Sequence, residues 1–213
     1  MKLYLSSYFF GNSPEKLISL LDPSTKIAVI MNAGDVFGDE KRPAYLAKEV
    51  EKFKKFGFNA EELDLRNYFD KESLLAKKLS EYGAIWVMGG NSFVLLRAMR
   101  YSGFNKLIVP LVQNDSIVYA GFSAGSVVAT KTLKGIELVD DPKQIPPGYD
   151  KEIVWDGLGF VDFSIAPHYK SDHPESAIVN EVVTYFEENN MSFKAISDGQ
   201  ALVVLDDQIE IVG

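Results

Sequence analysis

A chain of 213 residues with 46% hydrophobic and 24% charged composition can bury one substantial core, and the expectation is a single domain over residues 1–213. Its 22 Lys and Arg against 30 Asp and Glu give a net charge of -8, which argues against nucleic acid and anionic membranes as partners. The absence of cysteine excludes disulfides, thiolate metal sites and a thiol nucleophile, and fits a reducing compartment. Met1 to Phe10 has no signal-cleavage pattern, and no apolar run approaches the roughly eighteen residues of a membrane span, so a cytoplasmic, soluble protein is expected.

The elements follow in order. Ser13-Pro14-Glu15 starts a helix, with a capping hydroxyl ahead of a proline suited to the first helical position. Ile27 to Met31 reads as a strand, Ala44 to Phe56 and Lys71 to Tyr82 as helices, and Ile85 to Met88 as a second strand. Gly89-Gly90-Asn91-Ser92-Phe93 then turns into a helix containing Leu95 and Leu96. A third strand, Ile117 to Ala120, leads into Gly121-Phe122-Ser123-Ala124-Gly125 and a helix through Thr130. Leu133 to Asp156, with Asp140-Asp141-Pro142 and Pro146-Pro147-Gly148, reads as a long loop. Strands at Phe163 to Ala166 and Ala201 to Leu205 complete the series. Runs such as Ile27-Ala28-Val29-Ile30 are apolar at consecutive positions, as parallel strands covered on both faces require. The fold class is α/β: a three-layer α/β/α sandwich with a mostly parallel central sheet.

The strand, Gly-x-Ser-x-Gly turn and helix around Ser123 have the form of a nucleophile elbow, in which flanking glycines let strand and helix approach closely. The string alone arises by chance in about one chain in fifteen of this length, so its strand-to-helix setting carries the weight; otherwise Ser123 is a helix cap. A serine nucleophile needs a base, and the chain holds two histidines. His168 follows the strand ending at Ala166 and is expected at the carboxyl edge of the sheet; His173 reads as a surface-loop residue. An acid must orient the base: Asp198, in Ile196-Ser197-Asp198-Gly199-Gln200, is the candidate, with Asp141 and Asp172 as rivals and an Asp-Gly hairpin turn as its ordinary alternative. A backbone N–H of the Gly89-Gly90 turn is a candidate to face the oxyanion beside that of Ala124; the alternative is a tight strand-to-helix turn capped by Asn91 or Ser92. The order Ser, His, acid differs from that of α/β-hydrolases, and no acidic or histidine spacing suggests a metal.

Met88-Gly89-Gly90-Asn91-Ser92-Phe93-Val94-Leu95-Leu96, Tyr119-Ala120-Gly121-Phe122-Ser123-Ala124-Gly125, Ile165-Ala166-Pro167-His168-Tyr169 and Ile196-Ser197-Asp198-Gly199 together resemble the peptidase E (aspartyl dipeptidase) family over most of the chain. The resemblance implies a flavodoxin-like, class I glutamine amidotransferase-like fold and a serine peptidase acting on dipeptides or other small peptides. It implies Ser123 as nucleophile, His168 as base, Gly90 and Ala124 as oxyanion donors, and no metal or organic cofactor. Two departures stand out. The family's third catalytic position is typically Glu where this chain has Asp198, and its aspartate-preferring members carry an Arg after the catalytic histidine, whereas no Arg follows Arg100 here. Lys170 or His173 supplies a cation without the planar fork of a guanidinium. The alternatives are a catalytically silent relative and a small-ester hydrolase; oligomeric state is left open.

Overall fold

The computed structural model describes residues 1–213. Seven strands form one sheet: β1 (Lys2–Ser6), β2 (Lys26–Ile30), β3 (Asn59–Glu62), β4 (Ala84–Val87), β5 (Val118–Phe122), β8 (Ala201–Leu205) and β9 (Gln208–Val212), in spatial order β3-β2-β4-β5-β1-β8-β9. From β3 to β1 every pairing is parallel, and β8 and β9 add an antiparallel edge. Two further strands, β6 (Ser164–Ala166) and β7 (Phe193–Ala195), pair only with each other. The strand expected at Phe163 to Ala166 therefore exists but lies outside the central sheet, because Ser164 N–H donates to Ser192 and β7 claims the rest of its ladder.

The helices are α1 (Pro14–Ile18), α2 (Arg42–Lys55), α3 (Glu72–Leu79), α4 (Ser92–Ser102), α5 (Phe104–Gln113), α6 (Ala124–Val127) and α7 (Ser176–Glu188). Alternate residues of each strand enter opposite cores, which explains the unbroken apolar runs. Leu3 and Leu5, Ala28 and Ile30, Ile85 and Val87, and Leu202 and Val204 join a cluster with α3, α4, α5 and α7; Tyr4, Ile27, Val29, Trp86 and Val203 face Leu17 of α1 and Phe53 of α2. Helix, sheet and helix make the three expected layers. No helix is long and apolar enough to cross a membrane.

The N-terminal ten residues, read only for a leader, supply β1, which lies between β5 and β8. The helix after the elbow is shorter than expected, ending at Val127. Residues 133–156 are irregular apart from a 3₁₀ turn at Ile136–Leu138. They are nonetheless pinned: buried Arg97 of α4 donates to the carbonyls of Glu152, Gln144 and Pro142, and Asn91 donates to Asp141 and Gln144.

Candidate active site

The turn from β5 to α6 sets Ser123 at φ 50°, ψ -117°, a conformation that L-residues seldom hold without support from their surroundings. The support is visible. Ser123 N–H donates to the carbonyls of Ser6 and Ser7 at 3.2 Å each, and Ser126 Oγ donates to Ser6 and Gly121 carbonyls at 2.8 and 3.0 Å. The flanking glycines are required by space: a Cβ on Gly121 would stand 2.8 Å from the Val87 carbonyl, and one on Gly125 would overlap the same oxygen.

The segment after β6 brings His168 to this elbow. Its Nε2 lies 3.1 Å from Ser123 Oγ and its Nδ1 2.7 Å from Asp198 Oδ1. Ser123, His168 and Asp198 thus form one hydrogen-bonded chain. Asp198 sits between β7 and β8, which do not pair with each other, so its Asp-Gly dipeptide is not a hairpin turn. Neither rival acid joins the chain: Asp141 accepts from Lys143 N–H in its own loop, and Asp172 lies outside the hydrogen bonds of His168.

His173 departs from expectation. Instead of standing in solvent, its ring stacks on that of His168, with centroids 3.8 Å apart and planes inclined by 9°, and Tyr8 packs edge-on against both. His168 is only 2% exposed. This burial holds its pKa below the ordinary histidine value, with the hydrogen bond to Asp198 opposing the shift and His173 adding to it. His168, His173 and Glu175 offer ligand atoms within 4.8 Å of one another, but both ring nitrogens of His168 are engaged with Ser123 and Asp198, so an ion there would have to break one of those bonds.

Residues that the sequence patterns did not single out complete the arrangement. Buried Ser7, just beyond β1, donates its hydroxyl to Asp198 Oδ1 at 2.8 Å and accepts from His168 N–H at 2.8 Å. Ser171 Oγ accepts from Asp198 N–H at 2.7 Å. A serine in Leu5-Ser6-Ser7-Tyr8 has no motif; the available signal was an apolar run ending in two hydroxyls, which marks the carboxyl end of a strand.

Gly90 adopts φ +138°, and a Cβ there would run into the Ala33 carbonyl and stand 2.9 Å from Gly34 N. The N–H groups of Gly90 and Ala124 make no backbone hydrogen bond, leaving both free for a ligand. A cavity of about 330 Å³ opens beside Gly90, bordered by Ser123, His168, His173, Gln144 and three carboxylates, Asp140, Asp141 and Glu175. Asp140 accepts from Ser92 N–H at 2.8 Å; burial nevertheless pushes its carboxyl up to about 6.

The model of peptidase family S51 matches residues 15–212. The chain belongs to peptidase family S51. Among its relatives, the uncharacterized peptidase Lin0382 of Listeria innocua is 29% identical over 167 residues, 78% of this chain and 75% of that protein. The probable alpha-aspartyl dipeptidase of Drosophila melanogaster is 35% identical over 125 residues, 59% of this chain and 46% of that protein. A crystal structure of a candidate peptidase E protein from Listeria monocytogenes EGD-e superposes with a TM-score of 0.81 at 25% identity, over 99% of this chain and 97% of the other. This S51 member is accordingly a serine-type peptidase with the fold that its motifs implied.

Proposed function

We propose that this S51 peptidase is a dipeptidase working through an acyl-enzyme on Ser123. The observation that carries the reading is the unbroken chain from Ser123 Oγ through His168 to Asp198, at 3.1 and 2.7 Å, on a strained elbow next to two unengaged N–H groups. Ser123 Oγ attacks the scissile carbonyl carbon while His168 Nε2 takes the hydroxyl proton. The N–H groups of Gly90 and Ala124 receive the developing oxyanion, assisted by the amino end of α6. The C–N bond then breaks, and His168 returns the proton to the leaving amine. A water deprotonated by His168 hydrolyses the ester and regenerates Ser123. Asp198 keeps the His168 proton on Nδ1 and stabilises the imidazolium between the two transfers.

Substrate charge follows from the cavity. Asp140, Asp141 and Glu175 border it with His173 but no Lys or Arg, so carboxylates outnumber basic groups, the ammonium of a peptide's first residue is favoured there and an aspartate side chain meets like charge. We therefore read the substrates as small peptides with a neutral first residue rather than Asp-X dipeptides. A cytoplasmic setting, in keeping with a chain devoid of cysteine, belongs to the same reading.

The test is hydrolysis of a dipeptide panel, Asp-Leu included, by wild type and Ser123→Ala, with fluorophosphonate labelling of both. Cleavage and labelling that vanish together in the variant are expected, with kcat reduced on the order of 10⁴-fold or more and stability changed by no more than about 1 kcal/mol. Cleavage that survives in Ser123→Ala would sink the mechanism.

A further inference from the structure

Beside the catalytic cavity lies a second, larger cleft of about 480 Å³. Its walls are apolar, built from Phe9, Met31, Phe37, Tyr45, Met88 and Phe122. Phe37 is 80% exposed and Tyr45 48%; two such rings at the mouth of one cleft contribute little to folding and form a surface that a ligand can cover. The two cavities are neighbours, with Phe37, Gly89, Gly90 and Phe122 bordering both. The cleft touches neither Ser123 nor His168, so whatever fills it lies away from the nucleophile and its base.

The charges around the two spaces differ. Three carboxylates border the space at Ser123, whereas at the rim of the cleft Glu40 and Lys41 balance and Arg42 is held by Asp35, Glu62 and Asp64, which leaves the apolar walls as its dominant feature. A dipeptide has its ammonium next to the scissile carbonyl and its second side chain beyond the scissile bond, so the carboxylates suit the first residue and the apolar walls suit the second. We propose that the cleft is the subsite for the leaving residue, and that it makes the enzyme select peptides whose second residue is large and apolar: Leu, Met or aromatic. This specificity rests on the dipeptidase reading above and goes beyond it.

The experiment is a kcat/KM series on Ala-Gly, Ala-Ala, Ala-Glu, Ala-Leu and Ala-Phe, paired with a series in which the first residue varies before a fixed Leu. Ala-Leu and Ala-Phe are expected to exceed Ala-Gly roughly 10- to 100-fold, the factor that burial of one such side chain corresponds to. Phe37→Ala and Tyr45→Ala each truncate an exposed ring, so melting curves should remain near wild type, and each is expected to compress the Leu-over-Gly ratio about 3- to 10-fold. A flat second-residue series, a ratio unmoved in both variants, or selectivity set by the first residue alone overturns the subsite while leaving the peptidase intact. If no peptide is cleaved and the fluorophosphonate leaves Ser123 unlabelled, the dipeptidase reading falls and the subsite with it.

Discussion

Ser7 is the most informative residue to perturb, because a single hydroxyl joins the backbone of His168 to the carboxylate of Asp198. Ser7→Ala removes both bonds and adds no volume. The buried His168 N–H then lacks an acceptor, at a cost of about 1–3 kcal/mol, and Asp198 Oδ1 loses a donor from its charged oxygen. A total near 2–3 kcal/mol is expected, which for a chain of this size lowers Tm by roughly 4–10 °C. His168 sits at φ 62°, a conformation held by these contacts, so its ring should drift and kcat fall about 10- to 100-fold. KM should move little, since Ser7 touches no substrate in the proposed mechanism. Steady-state kinetics on a cleaved dipeptide and a thermal melt read the two effects separately. Ser7→Cys, nearly isosteric and still a weak donor, should recover part of each. Full activity with an unchanged melt in Ser7→Ala would refute the role assigned to this hydroxyl.

In the proposed mechanism His168 must be neutral to accept a proton, and its burial-depressed pKa should place the acid limb of kcat/KM below the unperturbed value of about 6.5. The same shift has a stability sign: the unfolded chain takes up this proton near pH 6.5 while the native state resists it, so His168 costs stability progressively as pH falls below about 6.5, measurable by melts at pH 7 and 5.5 of wild type against His168→Gln. Gly90→Ala should reduce kcat on the order of 10²–10³-fold, because its Cβ meets the Ala33 carbonyl at φ +138° and displaces an N–H; kinetics on one dipeptide check it, and wild-type kcat would exclude Gly90 from the oxyanion hole. Asp198→Glu should lower kcat at least about tenfold, although Glu is typical at this position in the resembling family; a gain in rate would contradict the geometry.

Much of the site was legible because its chemistry is written in short strings with strong backbone demands. Ser123 needs glycines on both sides, and Gly121 and Gly125 abut one carbonyl, that of Val87. The sheet was legible wherever strands are buried on both faces, as at Ile27 to Ile30 and Ala84 to Val87. It was illegible at β3, Asn59-Ala60-Glu61-Glu62, where hydrogen bonding to β2 shapes an acidic edge segment with no strand pattern. His173 was misread for a related reason. Its place depends on the turn that carries Lys170 at φ 50° and folds the next residues back over His168, a tertiary contact that no local pattern records. Ser7 is 161 positions from His168 and 191 from Asp198, so only the topology that inserts β1 beside β5 and β8 brings it in.

That topology also accounts for the shorter acid. An aspartate reaches His168 only if its backbone stands closer than a glutamate's would need to, and the turn carrying Asp198 is drawn inward from both sides. Ser7 N–H donates to the Gln200 carbonyl at 3.0 Å and Asn12 N–H to the Gly199 carbonyl at 2.7 Å, while Ser171 Oγ holds Asp198 N–H at 2.7 Å. The fit to the loop of residues 7–12 leaves no spare room: a Cβ on Gly11 would lie 2.7 Å from the Gly199 oxygen, and one on Gly199 would lie 2.5 Å from the Asn12 amide. The missing methylene is thus offset by the approach of two loops, residues 7–12 and 196–200, and its restoration in Asp198→Glu would push the carboxylate past a histidine whose other nitrogen is already fixed on Ser123. Asp198 and Ser7 are in this sense one device: the serine just beyond β1 sets how near the acid stands, and the acid's length is matched to that distance.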